Sequence, residues 1–251
     1  MNLLKTYTYP TELADSFLVY WANSPLRAGG LLKVRVLPRL ADPQIAAELA
    51  ALQYLLEEKQ VLGCQLSGNA NTSLIVSQGA IRKLLHRKSD KAQLAPYANF
   101  LTTRFAGCKL AVAKDTRWFA GFIPDAVDDL LVGEPRREQV NVTGVGAVSV
   151  TQHVLDRYAH RFLTAVPPDK LAQAAWKNLS KAATDPALQE VTRKGLWQAM
   201  NSALKGKQEG RYFLNPASQL VLVITDNPGE GKRLVTAYPA KRQFKHLAKA
   251  A

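Results

Sequence analysis

Hydrophobic and polar positions alternate with a period of two along "LLKVRVLPRL" (31–40), and "SFLVYWA" (16–22) before it is apolar and aromatic, so both segments read as strands. The period then changes. In "PQIAAELAALQYLLEEK" (43–59) the apolar positions Ile45, Leu49, Leu52 and Leu56 recur at helical spacing, and Asp42 followed by Pro43 supplies an N-cap with proline at the first helical position. "TSLIVS" (72–77) predicts a short strand, "QGAIRKLLHRK" (78–88) and "LAPYANFLTTRFA" (94–106) predict helices, and "CKLAVAK" (108–114) is a further apolar run. Strands followed by alternating helices and strands predict a mixed α/β sheet with helices packed on it. The stretch "PDAVDDLLVGEPRREQ" (124–139) mixes proline, glycine and charge without a clear apolar period and reads as a linker. Residues 1–123 are therefore expected to form one domain.

Beyond the linker, "VNVTGVGAVSV" (140–150) is a strand or hairpin interrupted by glycine. Ser149 or Thr151 is placed to cap the helix in "VTQHVLDRYAHRF" (150–162), and Ser149 with Gln152 fits a capping box. Pro167 and Pro168 mark its end or the next start. "DKLAQAAWKNLSKAA" (169–183) and "ALQEVTRKGLWQAMNSALK" (187–205) have amphipathic periods, with Trp176 and Trp197 as core candidates. "RYFLN", "LVLVITD" and "KRLVTAYP" then read as three antiparallel strands joined by "PASQ" and "NPGEG". The expected second domain, 140–240, is α+β, with helices on a small antiparallel sheet, and a basic tail (241–251) follows it.

Charge sharpens this division. Lys and Arg outnumber Asp and Glu by 33 to 20. After Pro135 the chain holds 18 basic and 8 acidic residues, and three of the four histidines. A basic excess concentrated in one half attracts polyanions, and nucleic acid is the commonest of these in the cytoplasm. Cys64 and Cys108 make neither a disulfide framework nor a metal cluster. No apolar run is long enough for a transmembrane helix, and the first residues lack a secretory pattern, so a cytoplasmic protein without membrane contact is expected.

The helix at 150–162 carries the candidate chemistry. On a helical wheel His153, Arg157 and His160 fall within an arc of about 60°, with Arg161 at its edge, beside an apolar face of Val154, Tyr158 and Phe162. Imidazole titrates near neutrality and suits proton transfer; guanidinium suits phosphate. A basic solvated face is the plainer reading of the same stripe. "NPGEGKR" is not a phosphate loop, because Asp226 and Arg233 occupy the places where that motif needs Gly and Ser or Thr. Phe244 among Lys241, Arg242, Lys245 and Lys249 lets the tail track phosphates or merely aid solubility.

Two resemblances bear on function. "AAELAALQYLLEE" and "SLIVSQGAIRKLL" resemble the first helix and the fourth strand of the ribonuclease H-like fold, over about residues 16–115. That family gathers carboxylates around divalent metals, but here the strand "VYWANS" lacks its Asp and "IVSQ" puts Ser77 and Gln78 where another belongs. Glu48 alone is a plausible match, and its plainer reading is an ordinary helix residue. The resemblance thus implies a catalytically dead relative that binds nucleic acid or acts as a scaffold. Residues 140–240 resemble the barnase–EndoU–colicin–RelE-like (BECR) ribonuclease toxins through "VTQHVLDRY" and "KRLVTAYP". This implies metal-independent RNA cleavage without a cofactor, with His153, Arg157, Thr236 and Tyr238 as catalytic candidates. His160, Arg161, Arg211, Asn215, Lys232 and Arg233 are the substrate-binding candidates. A toxin would also imply an acidic inhibitor as partner. A non-catalytic nucleic-acid platform and a protein-docking adaptor are the competing expectations.

Overall fold

A computed structural model describes residues 2–24, 28–63, 71–86, 88–121, 123–124, 127–167, 170–191, 210–227 and 231–240. The chain divides into two compact units, Met1–Arg136 and Arg137–Ala251. Among the described residues each unit holds a six-stranded mixed sheet, and five α-helices are distributed between them.

In the first unit β1 (Asn2–Pro10), β2 (Ser16–Asn23) and β3 (Gly29–Val36) form an antiparallel meander. Helix α1 (Pro43–Glu57) returns the chain to β4 (Thr72–Val76), which pairs parallel to β1. Helices α2 (Gly79–Leu85) and α3 (Ala95–Thr102) precede β5 (Lys109–Val112), parallel to β4. β6 (Val127–Val132) then pairs parallel to β3, giving the order β5-β4-β1-β2-β3-β6. The core lies between the sheet and α1, where Ile45, Leu49, Leu52 and Leu56 pack with Leu4, Val19, Leu32, Val34, Leu74 and Phe100.

One sequence expectation is corrected here, and one strand went unread. The segment read as a linker supplies β6, a strand of the first sheet, and the start of β7. Its adjacent Asp128 and Asp129 break the hydrophobic alternation, yet backbone pairing to β3 holds the strand. β1 escaped the sequence reading because its core-facing positions are Leu4, Thr6 and Thr8, while Leu3, Tyr7 and Tyr9 face outward. A strand that buries threonines and shows tyrosines to solvent inverts the usual signal.

In the second unit β7 (Glu138–Val142) and β8 (Gly146–Val150) form a hairpin. Gly144 (φ +75°) and Gly146 (φ +91°) take left-handed conformations that a side chain would strain. Helices α4 (Gln152–Phe162) and α5 (Leu171–Ala183) follow, then β9 (Gln189–Val191), β10 (Arg211–Asn215), β11 (Leu220–Asn227) and β12 (Gly231–Pro239). The sheet order is β7-β8-β12-β11-β10-β9. The three last strands are antiparallel as expected, but the sheet is larger and mixed, because β8 joins β12 in parallel. Residues 189–191, expected to open a helix, are a strand paired with β10. The remainder of that predicted helix with Trp197, together with Pro168, Cys64 and the tail 241–251, lies outside the described residues.

Val154, Leu155, Tyr158 and Ala159 of α4 pack with Ala175 and Leu179 of α5 against Val148, Phe213, Leu222, Leu234 and Ala237. Trp176 lies at the margin of this core.

Candidate functional site

Helix α4 begins at Thr151, whose side-chain oxygen accepts from the Val154 N–H at 3.4 Å. The expected capping box is absent. Ser149 sits in the β8 ladder, and Gln152 donates instead to Asp156 at 2.8 Å. Thr151→Ala is expected to cost about 1 kcal/mol of stability, measurable by urea unfolding, because one helix-terminal N–H loses its acceptor.

The apolar stripe of α4 is buried, with Tyr158 stacked on Phe162 at 4.7 Å between ring centres. Burial also raises the Tyr158 hydroxyl above its usual pKa. On the other side His153, Arg157 and His160 are exposed, and Arg161 is half-buried. Arg161 reaches β12: its Nη1 donates to the Ala237 carbonyl at 2.5 Å and to Thr236 Oγ1 at 3.3 Å. Its guanidinium carbon lies 4.4 Å from the centre of the Tyr238 ring.

A register shift in β12 permits this meeting. Val223 pairs with Thr236 but Ile224 pairs with Leu234, leaving Val235 as an extra residue. Leu234 and Ala237 consequently join the core beneath the helices, while Tyr238 packs with Tyr212, Leu214, Val221 and Val223 on the sheet's other face. The β8 pairing of β12 includes Arg233 and Leu234. Arg161 then contacts the strand beyond these positions.

The structure therefore joins Arg161, Thr236 and Tyr238. Arg157 stands one helical turn before Arg161, and His153 two turns before it, a rise of about 12 Å. His160 is adjacent to Arg161 in sequence. Thr236 is only 8% exposed.

Other residues assigned to substrate have intramolecular partners. Arg211 forms two hydrogen bonds to Glu190, at 2.8 and 2.7 Å, across β10 and β9. That pairing lowers the Glu190 carboxyl pKa. Asn215 is fully buried, donating to the Ala182 carbonyl at 3.1 Å and accepting from the Ser218 N–H at 3.0 Å. It fastens the β10–β11 turn to α5. Lys232 donates to the Val145 carbonyl at 2.6 Å and fastens the β7–β8 turn. Arg233 is half-buried, and its backbone registers with Ser149. These side chains were legible as polar, but their partners come from distant segments.

In the first unit, Glu48 is not an ordinary helix residue. It is 0% exposed, and its carboxylate accepts four hydrogen bonds: Oε1 from Thr6 Oγ1 (2.9 Å) and the Ser77 N–H (2.7 Å), Oε2 from Ser77 Oγ (2.8 Å) and the Gln78 N–H (3.1 Å). Burial raises its pKa, against the lowering effect of these donors. The strand beside Glu48 is β1, through Thr6, rather than the "VYWANS" strand. Burial likewise pushes the Cys108 thiol up to about 12, which keeps it protonated and unreactive.

Among the described residues no three His, Cys, Asp or Glu side chains gather as a metal site requires, and no helix is long and apolar enough to cross a membrane. No protein-family model, curated protein or solved structure matches the chain.

Proposed function

We propose that the second unit binds RNA along the basic stripe of α4 and cleaves it without metal, by attack of the 2′-hydroxyl on the adjacent phosphate. The observation that carries this reading is the Arg161 guanidinium lying between α4 and β12, against Thr236 and Tyr238. One nitrogen of that planar cation, Nη1, is fixed by protein acceptors, which leaves its other donors for phosphate. Arg157, one turn away, adds a second cation. In the reaction the 2′-oxygen bonds to phosphorus as a base takes its proton, and the bond to the 5′-oxygen breaks as an acid protonates that oxygen. His153, exposed on the same stripe, keeps the acid–base role that the sequence pattern assigns to it, and His160, exposed further along the stripe, is the substrate contact or second proton-transfer group.

The same family reading makes the first unit a ribonuclease H-like scaffold. Its meander–helix–strand order supports this, as does Glu48 being bound by Thr6 and Ser77 rather than by further carboxylates. A purely binding role for the second unit has one observation in its favour: the Thr236 hydroxyl is nearly buried and already accepts from Arg161. An acidic inhibitor is the partner to seek if the protein is a toxin.

The test is incubation of the whole protein with labelled RNA in chelator, beside His160→Ala and His153→Ala. Cleavage leaving 2′,3′-cyclic phosphate, reduced about a hundredfold or more by His153→Ala, supports the nuclease. Intact RNA, bound with an affinity that falls steeply as salt rises, supports the binding role alone. Neither cleavage nor binding overturns both.

A further inference from the structure

We propose that the first unit carries a binding site for single-stranded nucleic acid on the sheet face opposite α1, built from stacked rings with Lys5 beside them. Leu4, Thr6 and Thr8 of β1 and Val19 and Trp21 of β2 are buried on the α1 side. Strand alternation therefore sends Lys5, Tyr7 and Tyr20 to the opposite face. There Tyr7 and Tyr20 are register partners on the two central strands.

The segment after β5 lays two more rings over this pair. Phe119 lies nearly parallel to Tyr20, at 4.5 Å between ring centres and 12°, and meets Tyr7 at 5.0 Å. Trp118 stands edge-on to Phe119 at 5.0 Å and 80°, and the Lys5 ammonium sits 4.9 Å from the centre of the Trp118 ring. All four rings are half-buried and lie outside the core beneath α1. A base laid on Phe119 continues a stack that already runs from Tyr20, and rings on an open sheet face hold unpaired bases in this way. Glu48 and Ser77 bond to each other on the α1 side, so these rings are apart from the position of the ribonuclease H-like carboxylates.

Charge on this face is divided, and the division selects the occupant. Towards β6, Lys33 neighbours Asp129 in register, Arg35 is paired with Asp15 at 3.0 Å, and Glu12 lies near them. That end offers a polyanion no net attraction. Towards β5 the balance changes. Leu110 and Val112 pack on the α1 side, so Lys109 faces the same way as Lys5. Lys5 registers with Ile75 and Lys109 with Ser73, so neither has an acid beside it on β4. The segment that follows β5 adds Lys114, Asp115 and Arg117. Asp115 is already taken by Arg117, through hydrogen bonds at 2.9 and 3.3 Å, and Lys5 adds a weaker attraction to it. Four cations and one occupied acid around half-exposed rings fit a ligand that combines phosphates with aromatic faces.

The test is photocrosslinking of the whole chain to an oligothymidylate of about ten nucleotides carrying 5-bromouracil, with the adducts mapped to peptides. This probe lacks the 2′-hydroxyl, so the cleavage proposed for the second unit does not consume it. Adducts are expected on Trp118, Phe119 or Tyr7. Phe119→Ala should lower their yield about tenfold. Lys5→Gln should reduce the slope of log affinity against log salt by about 0.7, the share of one phosphate contact on a single strand. Both side chains lie outside the core, and circular dichroism should show unchanged folding; Lys5→Gln carries the test by itself if Phe119→Ala disturbs the fold. Adducts confined to the second unit, or a salt slope in Lys5→Gln equal to that of wild type, would overturn the proposal. RNA cleavage without adducts on these rings would also overturn it and leave the nuclease reading standing, whereas adducts without cleavage would do the reverse.

Discussion

Glu48→Ala is expected to remove about 3–5 kcal/mol from the stability of the first unit, close to the whole margin of a small domain. The loss is not mainly one of packing. The Ser77 and Gln78 N–H groups and the Thr6 and Ser77 hydroxyls all point at one carboxylate. Alanine leaves one buried backbone donor, at Ser77, and one half-buried donor, at Gln78, without an acceptor, and each such group costs about 1–3 kcal/mol. Glu48→Gln should also destabilise, by about 1–3 kcal/mol, despite its shape. Its NH2 must replace either Oε1, facing the Ser77 N–H, or Oε2, facing the Gln78 N–H, so one donor meets another. Urea unfolding of the variants checks the order Ala below Gln below wild type.

The same group sets a pH signature. Burial raises the Glu48 pKa from its ordinary 4.5, so the folded unit holds this proton more tightly than the unfolded chain. Its contribution is most favourable below pH 4.5 and is lost as pH rises through the folded-state value. Glu48→Gln should therefore flatten that part of the stability profile while lowering it overall.

Arg161→Ala is expected to reduce single-turnover RNA cleavage about 10²- to 10³-fold, the usual effect of removing one oriented donor to a reacting phosphate. Stability should change far less. The hydrogen bonds to Ala237 and Thr236 are partly solvated, and stacking on Tyr238 is worth about 0.5–1 kcal/mol. Arg161→Lys should rescue poorly, because an ammonium keeps the charge but loses both the fork and the ring stacking. Tyr238→Phe separates the remaining possibilities, since it keeps the platform under the guanidinium and removes only the hydroxyl. Cleavage rates in chelator that are equal in wild type and Arg161→Ala would remove the guanidinium from the mechanism.

The strands at 16–22, 31–36 and 72–76 and the helices at 43–57 and 152–162 were legible because their buried apolar residues face one core, and the strand at 220–226 because it holds a continuous apolar run, buried on both faces of its sheet. β1 and β6 were not, for opposite reasons. β1 buries two threonines, one of which, Thr6, has its partner Glu48 forty-two residues away, and β6 carries two aspartates in an edge strand. At the candidate site, the stripe His153–Arg157–His160–Arg161 follows from helical geometry alone. What the sequence could not show is which member reaches β12. That depends on the extra residue at Val235, which turns Tyr238 to the opposite face, and a register shift leaves no mark in composition. Asn215 and Lys232 looked available for substrate because their acceptors, backbone carbonyls at Ala182 and Val145, have no sequence signature at all.

The central place of β1 has a consequence for how the first unit is made. Two strand groups, β2-β3-β6 on one flank and β4-β5 on the other, share no edge except through it. Synthesised before all of these partners, β1 is thus a seam that stays half-open until residues 72–76 arrive to close it. Loss of that seam would not trim the sheet but divide it, and assembly of this unit is bound to long-range pairing from β1 onward.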